Sequence, residues 1–260
     1  MDGAAADRPA AELGPGPQPP RLVVCGTDTD VGKTVVSAWL VQGLNAHYWK
    51  PVQSGLEGGG DRSSLARLLP EAGDRLLPEA YRLSRPLSPH WAAELDGVAI
   101  EPERLELPAG AGPLVVETAG GVLVPLRRDW LQIEQLQRWR LPVLLVARSG
   151  LGTLNHTLLS LEALRQRALP VLGLVLNGPP HADNPRTLEQ LGGVPVLAEL
   201  PPLQPLRAAA RARAWPALPR GPRRVRRVEG LAVRPGGQTG PHWGLPSSVA
   251  PSRCARATGW

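Results

Sequence analysis

The run Arg21-Leu-Val-Val-Cys-Gly26, followed at once by Thr-Asp-Thr-Asp-Val-Gly32-Lys33-Thr34 and then Val-Val-Ser-Ala-Trp-Leu, limits this chain more than any other feature. It predicts a strand, a tight polar loop and a helix in direct succession. That is the setting in which a glycine-bounded Lys-Thr loop counts as a phosphate cradle. Backbone N–H groups of such a loop point inward at phosphate oxygens, and the positive end of the following helix adds to their attraction. Lys33 would reach the β- and γ-phosphates, and the Thr34 hydroxyl would coordinate Mg²⁺. The spacing departs from the usual G-x-x-x-x-G-K-T: five residues separate Gly26 from Gly32, and Thr27 stands at the first-glycine position.

Lysine usage points to the same place. Of 29 Lys and Arg residues only Lys33 and Lys50 are lysine, and both lie between Gly26 and Gly55. Every other cation is arginine. An ammonium kept at two neighbouring positions suits a compact, titratable charge with rotatable donors.

Through residues 21–206 short apolar runs alternate with helical patterns, which predicts one α/β domain with a mainly parallel sheet covered by helices. Strands are expected at Arg21–Gly26, about His47–Pro51, Leu114–Glu117, Val143–Ala147, Val171–Asn177 and Val194–Ala198. Helices are expected over Gly32 to about Asn45, Asp61–Leu69, Asp129–Trp139 and Asn155–Ala168, with Asp61, Asp129 and Asn155 where N-caps belong.

The flanks differ. Residues 1–20 are mostly Ala, Gly and Pro and read as a flexible leader with too little apolar surface to order itself. Residues 207–260 hold 11 arginines against one acid, Glu229, and show no sustained period of either kind. They read either as a basic disordered tail or as GC-rich DNA translated out of frame; the loss of acids with excess Arg, Pro and Gly favours the second. The tail accounts for the net charge of +6; residues 1–206 alone carry −4, and give no sign of a nucleic-acid surface. No apolar run approaches the roughly 18 residues of a membrane span, and no basic-then-apolar signal layout opens the chain, so a cytoplasmic protein is expected. Cys25 in a strand and Cys254 in the tail imply neither a disulfide framework nor a metal cluster.

In open α/β sheets ligands collect outside the carboxyl ends of the strands. Glu117 ends Leu-Val-Val-Glu and precedes Thr118-Ala119-Gly120-Gly121, so it should face the phosphate loop. Asp61 opens a helix after a Gly-rich stretch; it is a cap, a ligand, or both. With Thr34 these carboxylates supply hard oxygens for an Mg²⁺ that keeps several waters and grips phosphates. Asn177 closes an apolar strand and either bonds a base edge or forms a turn. Leu151-Gly-Thr-Leu-Asn-His156 opens a helix whose free N–H groups either hold a carboxylate or are capped locally. His90, in Pro-Leu-Ser-Pro-His-Trp, reads as structural rather than catalytic.

Taken in order, Gly-Thr-Asp-Thr-Asp-Val-Gly-Lys-Thr, Lys-Pro-Val-Gln-Ser-Gly, Pro-Leu-Ser-Pro-His, Val-Val-Glu-Thr-Ala-Gly-Gly, Leu-Gly-Thr-Leu-Asn-His and the strand-end Asn177 resemble the dethiobiotin synthetase family over residues 21–206. The resemblance implies a P-loop NTPase fold, usually a homodimer, which joins 7,8-diaminopelargonate (7,8-diaminononanoate) with CO₂ and hydrolyses ATP in biotin synthesis. By motif, Asp30, Val31, Gly32, Lys33, Thr34 and Val35 would bind ATP phosphates. Thr34, Asp61 and Glu117 would hold Mg²⁺, with Thr118, Ala119 and Gly120 beside the nucleotide. Lys50 and Lys33 would be catalytic, and Ser54 would contact substrate. Asn177 with the backbone of Leu200, Pro201 and Pro202 would hold adenine. Gly152, Thr153, Leu154 and Asn155 would bind the substrate carboxylate across the dimer interface.

Three departures qualify the resemblance. Thr118 stands where the family has a small glycine, where it would crowd the nucleotide or restrain the loop. Asp30 replaces a common Glu, and the arginine-rich tail replaces ordered family sequence. An inactive relic with an aberrant C-terminus is therefore one alternative. A partitioning-type P-loop ATPase switch is another, but such proteins carry an extra lysine early in the loop, where this chain has Thr27 and Asp28. A glutaminase-bearing amidoligase needs a nucleophilic cysteine, which neither Cys25 nor Cys254 supplies.

Overall fold

The computed structural model describes residues 19–110 and 112–202. The expected leader, apart from its last two residues, and the expected tail lie outside the described residues. Along the chain run β1 (Arg21–Gly26), α1 (Lys33–Leu44), β2 (His47–Trp49), β3 (Val52–Ser54), α2 (Gly60–Leu68), β4 (Tyr81–Leu83), α3 (Pro89–Leu95), β5 (Leu114–Gly121), β6 (Pro125–Arg127), β7 (Trp130–Leu131), α4 (Gln132–Trp139), β8 (Val143–Arg148), α5 (Thr153–Gln166), β9 (Val171–Asn177), α6 (Asn184–Gly192) and β10 (Val196–Leu200).

Six of these strands form one sheet in the order β10-β9-β8-β1-β5-β2, and every pairing in it is parallel. A parallel sheet with helices on both faces buries both sides of its strands, which is why they read as continuous apolar runs. Alternate residues nevertheless divide cleanly between two cores. Val23, Cys25, Leu114, Val116, Val143, Leu145 and Leu174 pack with Ala92 of α3, Ile133 and Leu136 of α4, Leu161 and Leu164 of α5 and Leu188 of α6. Leu22, Val24, Val115, Leu144, Val146 and Val175 pack on the other face with Val36, Leu40 and Val41 of α1 and Leu65 of α2. The period of two set by the pleat decides which core each side chain joins.

All six expected strands lie in this sheet, β1 and β9 with the expected bounds and four with shifted ends: β2 is shorter than expected, β5 runs on to Gly121, β8 ends one residue later at Arg148, and β10 runs Val196–Leu200 rather than Val194–Ala198. The three expected N-caps are corrected. Gly59 precedes α2 and Gly152 precedes α5, both left-handed (φ 86° and 91°), so Asp61 and Asn155 sit inside first turns. Asp129 lies in the β6–β7 turn, where its carboxylate accepts from Arg127 Nη2 at 2.8 Å, while Glu134 reaches back to the Leu131 N–H (2.6 Å) at the start of α4. Left-handed glycines win at the starts of α2 and α5 because the backbone there takes a positive φ that glycine adopts without a Cβ clash.

Two parallel strands (β3 with β4), one antiparallel hairpin (β6 with β7) and helices α3 and α6 were not expected. Each is short. Helix α6 buries Leu188 while Leu191 stays 65% exposed, too narrow a stripe to announce a helix by period.

Candidate active site

The phosphate loop leaves the carboxyl end of β1 at the centre of the sheet, between β8 and β5. Asp30 (φ 56°) and Gly32 (φ 97°) both take left-handed backbone, which curls the loop over the end of α1. Gly26 is required by contact: a Cβ there would lie 2.7 Å from the Asp28 carbonyl. Gly32 caps α1 without a side-chain hydrogen bond, so the first-turn N–H groups remain available to an anion. Lys33 folds back beneath the loop and donates to the Asp28 carbonyl at 2.9 Å. Arg148, at the end of β8, braces the outside by donating to the Thr29 carbonyl (3.0 Å).

Beside the loop, Thr34 Oγ1 lies 3.0 Å from Asp61 Oδ1 and 2.9 Å from Glu117 Oε1. A hydroxyl has one proton and can donate to only one of them at a time. Lys50 supplies the balancing charge: Nζ bonds Asp61 Oδ2 and reaches Glu117 Oε1 at 3.3 Å. Tyr48, wholly buried on β2, donates to Glu117 Oε2 at 3.1 Å. Glu117 is the last β5 residue in regular register with β1: Val24 pairs with Glu117 and Gly26 with Gly121, so three residues of β5 then stand opposite Cys25 alone.

Electrostatics follow from this packing. Burial works against the Lys50 ammonium, but Glu117 and Asp61 outweigh it and its pKa is raised. Asp61 is lowered: burial opposes ionisation, and the charge and hydrogen bond of Lys50 overcome it. Lys33 is lowered, first by burial and also by the charge of Lys50, with Glu117 opposing. Tyr48 is raised by burial and by Glu117, which keeps it a donor.

A cleft of about 820 Å³ unites Asp30, Gly32, Lys33, Thr34, Lys50, Ser54, Asp61, Glu117, Ala119 and Gly120. Ser54 Oγ is buried there without a hydrogen-bond partner. Among the described residues no three or more His, Cys, Asp or Glu side chains form a metal cluster. Two carboxylates and a hydroxyl are instead the donor set of a hard cation that keeps water and takes phosphate oxygens.

Other expected residues fall elsewhere. Val31 is buried beneath the loop, and its carbonyl accepts from Asn177 Nδ2 at 3.0 Å. Asn177 pairs in register with Leu200, and the Gly178 N–H reaches the Leu200 carbonyl (2.8 Å), so Asn177, Leu200, Pro201 and Pro202 form one patch behind the loop. Val35 is partly buried in the first turn of α1. Thr118 is fully buried, and its hydroxyl reaches the Val24 carbonyl at 3.4 Å. Its side chain turns away from the cleft and does not crowd it. Gly152, Thr153, Leu154 and Asn155, at the start of α5, do not line this cleft in the single chain, and Leu151 before them is fully exposed. His90 makes a local contact with Ser88 Oγ (3.0 Å).

With that geometry in hand, residues 20–210 match a family model described as an AAA domain. The ATP-dependent dethiobiotin synthetase BioD of Rhodopseudomonas palustris (strain HaA2) is 55% identical over 196 residues, covering 75% of this chain and 91% of that protein. The protein of the same name from Agrobacterium fabrum (strain C58) is 51% identical over 195 residues, covering 75% and 92%. This chain belongs to the dethiobiotin synthetase family. A solved ParA family ATPase from Chlorobium tepidum TLS is 15% identical at a TM-score of 0.45, over 72% of this chain and 85% of that one; nothing functional follows from it.

Within this synthetase-family site two side chains escaped sequence reasoning. Tyr48 gave a faint signal, a polar tip in an apolar strand two residues before Lys50. Gln53 stands in the middle of Lys-Pro-Val-Gln-Ser-Gly, where only the fold reveals that its amide turns inward.

Proposed function

We propose that this chain is an ATP-dependent dethiobiotin synthase, a cyclo-ligase that converts 7,8-diaminopelargonate, CO₂ and ATP to dethiobiotin, ADP and phosphate. The observation that carries the reading is the convergence of Lys50, Thr34, Asp61 and Glu117 beside a phosphate loop, in one cleft with the unpartnered Ser54 hydroxyl.

CO₂ adds to one amine of the substrate, giving a carbamate. A carbamate oxygen attacks the γ-phosphorus and ADP leaves, so anion must approach anion. Lys33 and the N–H groups at the start of α1 draw the phosphate chain into place. Lys50, just past the end of β2 and held by Asp61 and Glu117, offsets the charge between carbamate and phosphoryl group; the catalytic work is positioning plus electrostatics. The second amine then attacks the carbamoyl carbon of the mixed anhydride, expelling phosphate and closing the ureido ring. Ser54 contributes a hydroxyl to the substrate. Thr34, Asp61 and Glu117 would hold Mg²⁺, which when bound neutralises phosphate charge. Asn177 with Leu200, Pro201 and Pro202 would receive adenine.

The chain is read as a homodimer, with Gly152–Asn155 of one protomer offered to the substrate carboxylate of its partner. Among the described residues no helix is long and apolar enough to cross a membrane, and the reading places the enzyme in the cytoplasm.

Phosphate release from Mg·ATP tests the proposal. Release that requires both the diamine and bicarbonate, with dethiobiotin formed in equal amount, is the expected result. ATP turnover indifferent to both would overturn it and return the chain to a switch ATPase.

A further inference from the structure

Gln53 lines the cleft, is 6% exposed and uses both ends of its amide. Its Oε1 accepts the Asp61 N–H at 3.1 Å, while Nε2 donates to the carbonyls of Ser54 and Gly55, also at 3.1 Å. Helix α2 begins after Gly59, which has no side chain to cap it. The first N–H groups of a helix lack intrahelical partners, and Asp61 is the second residue of α2. Gln53 therefore caps that helix from the neighbouring strand. The approach is close: Gly60 has φ +77°, and a Cβ there would lie 2.9 Å from Gln53 Cγ and Cδ.

The same amide thus grips two parts of the site. One is the helix start that presents Asp61 to Lys50 and Thr34; the other is the strand end that presents the Ser54 hydroxyl. We propose that Gln53 is a positioning residue that holds Asp61 and Ser54 in one rigid frame, so that metal-nucleotide and diamine are kept in register. This rests on the synthase reading given above. Gln53 performs no step itself; it acts through Asp61 and Ser54.

The test compares Gln53→Met, which keeps length and burial but loses all three bonds, with Ser63→Ala. The latter removes another bond at the start of α2, Ser63 Oγ to the Gly59 carbonyl (2.9 Å), from a side chain that does not line the cleft. Binding of Mn²⁺ in the presence of a non-hydrolysable ATP analogue is followed by electron paramagnetic resonance, and KM for ATP and diamine by dethiobiotin formation. Gln53→Met should weaken Mn²⁺ binding and raise the diamine KM by about tenfold each, the scale of losing a side chain that orients a ligand. The KM for Mg·ATP should rise with the loss of metal affinity, because metal and nucleotide bind as one unit, while binding of the ATP analogue without metal should stay within about twofold because the phosphate loop is untouched. Ser63→Ala should lower the melting temperature and move neither quantity. Gln53→Met matching Ser63→Ala in both would overturn the proposal. If Gln53→Met yields no folded protein, Gln53→Asn, which withdraws the amide by one methylene, carries the same expectation. A wild-type chain that makes no dethiobiotin sinks the synthase reading, and the Mn²⁺ comparison still decides the role of Gln53.

Discussion

Replacing Lys50 by methionine tests whether one ammonium holds the two carboxylates together. Methionine keeps much of the length and removes the charge. Glu117 is 1% exposed and would keep only the Tyr48 hydroxyl and a share of the Thr34 proton, while Asp61, whose side chain is 30% exposed, would face it unpaired. Removing one partner of a buried ion pair costs roughly 3–5 kcal/mol. The surviving hydroxyls and the exposure of Asp61 place this change near the bottom of that range, about 3 kcal/mol. For a body of this size that corresponds to a melting temperature lower by roughly 6–12 °C in metal-free buffer at pH 7. The pH dependence has a definite sign. Asp61, lowered in the fold, contributes stability above its ordinary 3.8 and loses it as pH falls through its folded value. Lys50, raised in the fold, contributes below its ordinary 10.5 and loses it as pH rises through its folded value. The gap between wild type and variant should be flat across neutral pH and close on acidification, read by thermal melts at several pH values. A variant melting within about a degree of wild type at pH 7, or a gap that widens in acid, would refute the reasoning.

Ser54→Ala removes a buried hydroxyl that has no partner, so the free chain should be as stable or gain up to about 1 kcal/mol in urea melts, while the diamine KM rises about tenfold. Lower stability with an unchanged KM would show the hydroxyl serves the fold. Gly32→Ala adds a Cβ only 2.1 Å from Asn177 Nδ2 at a φ of +97°; strain of about 1–3 kcal/mol should appear as a lower melting temperature and weaker binding of a fluorescent ATP analogue. Unchanged binding would mean the loop is not nucleotide-bearing. Thr118→Val removes the contact to the Val24 carbonyl and should cost about 1 kcal/mol without altering ATP affinity, whereas improved ATP binding would revive the idea that this side chain crowds the cleft.

The sheet was legible because its strands are apolar on both faces: Arg21–Gly26 and Val171–Asn177 were bounded correctly from sequence alone, and the other four strands were located with shifted ends. Helix starts were less legible. Asp61, Asp129 and Asn155 carry good capping side chains, yet glycines or a reciprocal glutamate contact take those positions, because backbone geometry at a helix start outranks side-chain preference. Helices α3 and α6 and the small strands went unseen: the strands have two or three residues and α3 seven, and α6 buries one large apolar side chain, Leu188, too little for a period to show.

By itself the sequence determined the loop chemistry, the two lysines, the acids at strand ends and the order in which these occur, because each depends on residue type and nearby spacing. It also carried enough of the motif order to name the family. Only the tertiary structure decided which of these groups meet. Glu117 lies 67 residues from Lys50 and 83 from Thr34, and parallel pairing of β1 and β2 with β5 brings them to one edge, where the single Thr34 proton leaves Asp61 and Glu117 in need of a cation. The inward turn of Gln53, the burial of Thr118 and the placing of Gly152–Asn155 away from the cleft likewise depend on long-range packing, to which a side chain's type and local pattern are blind.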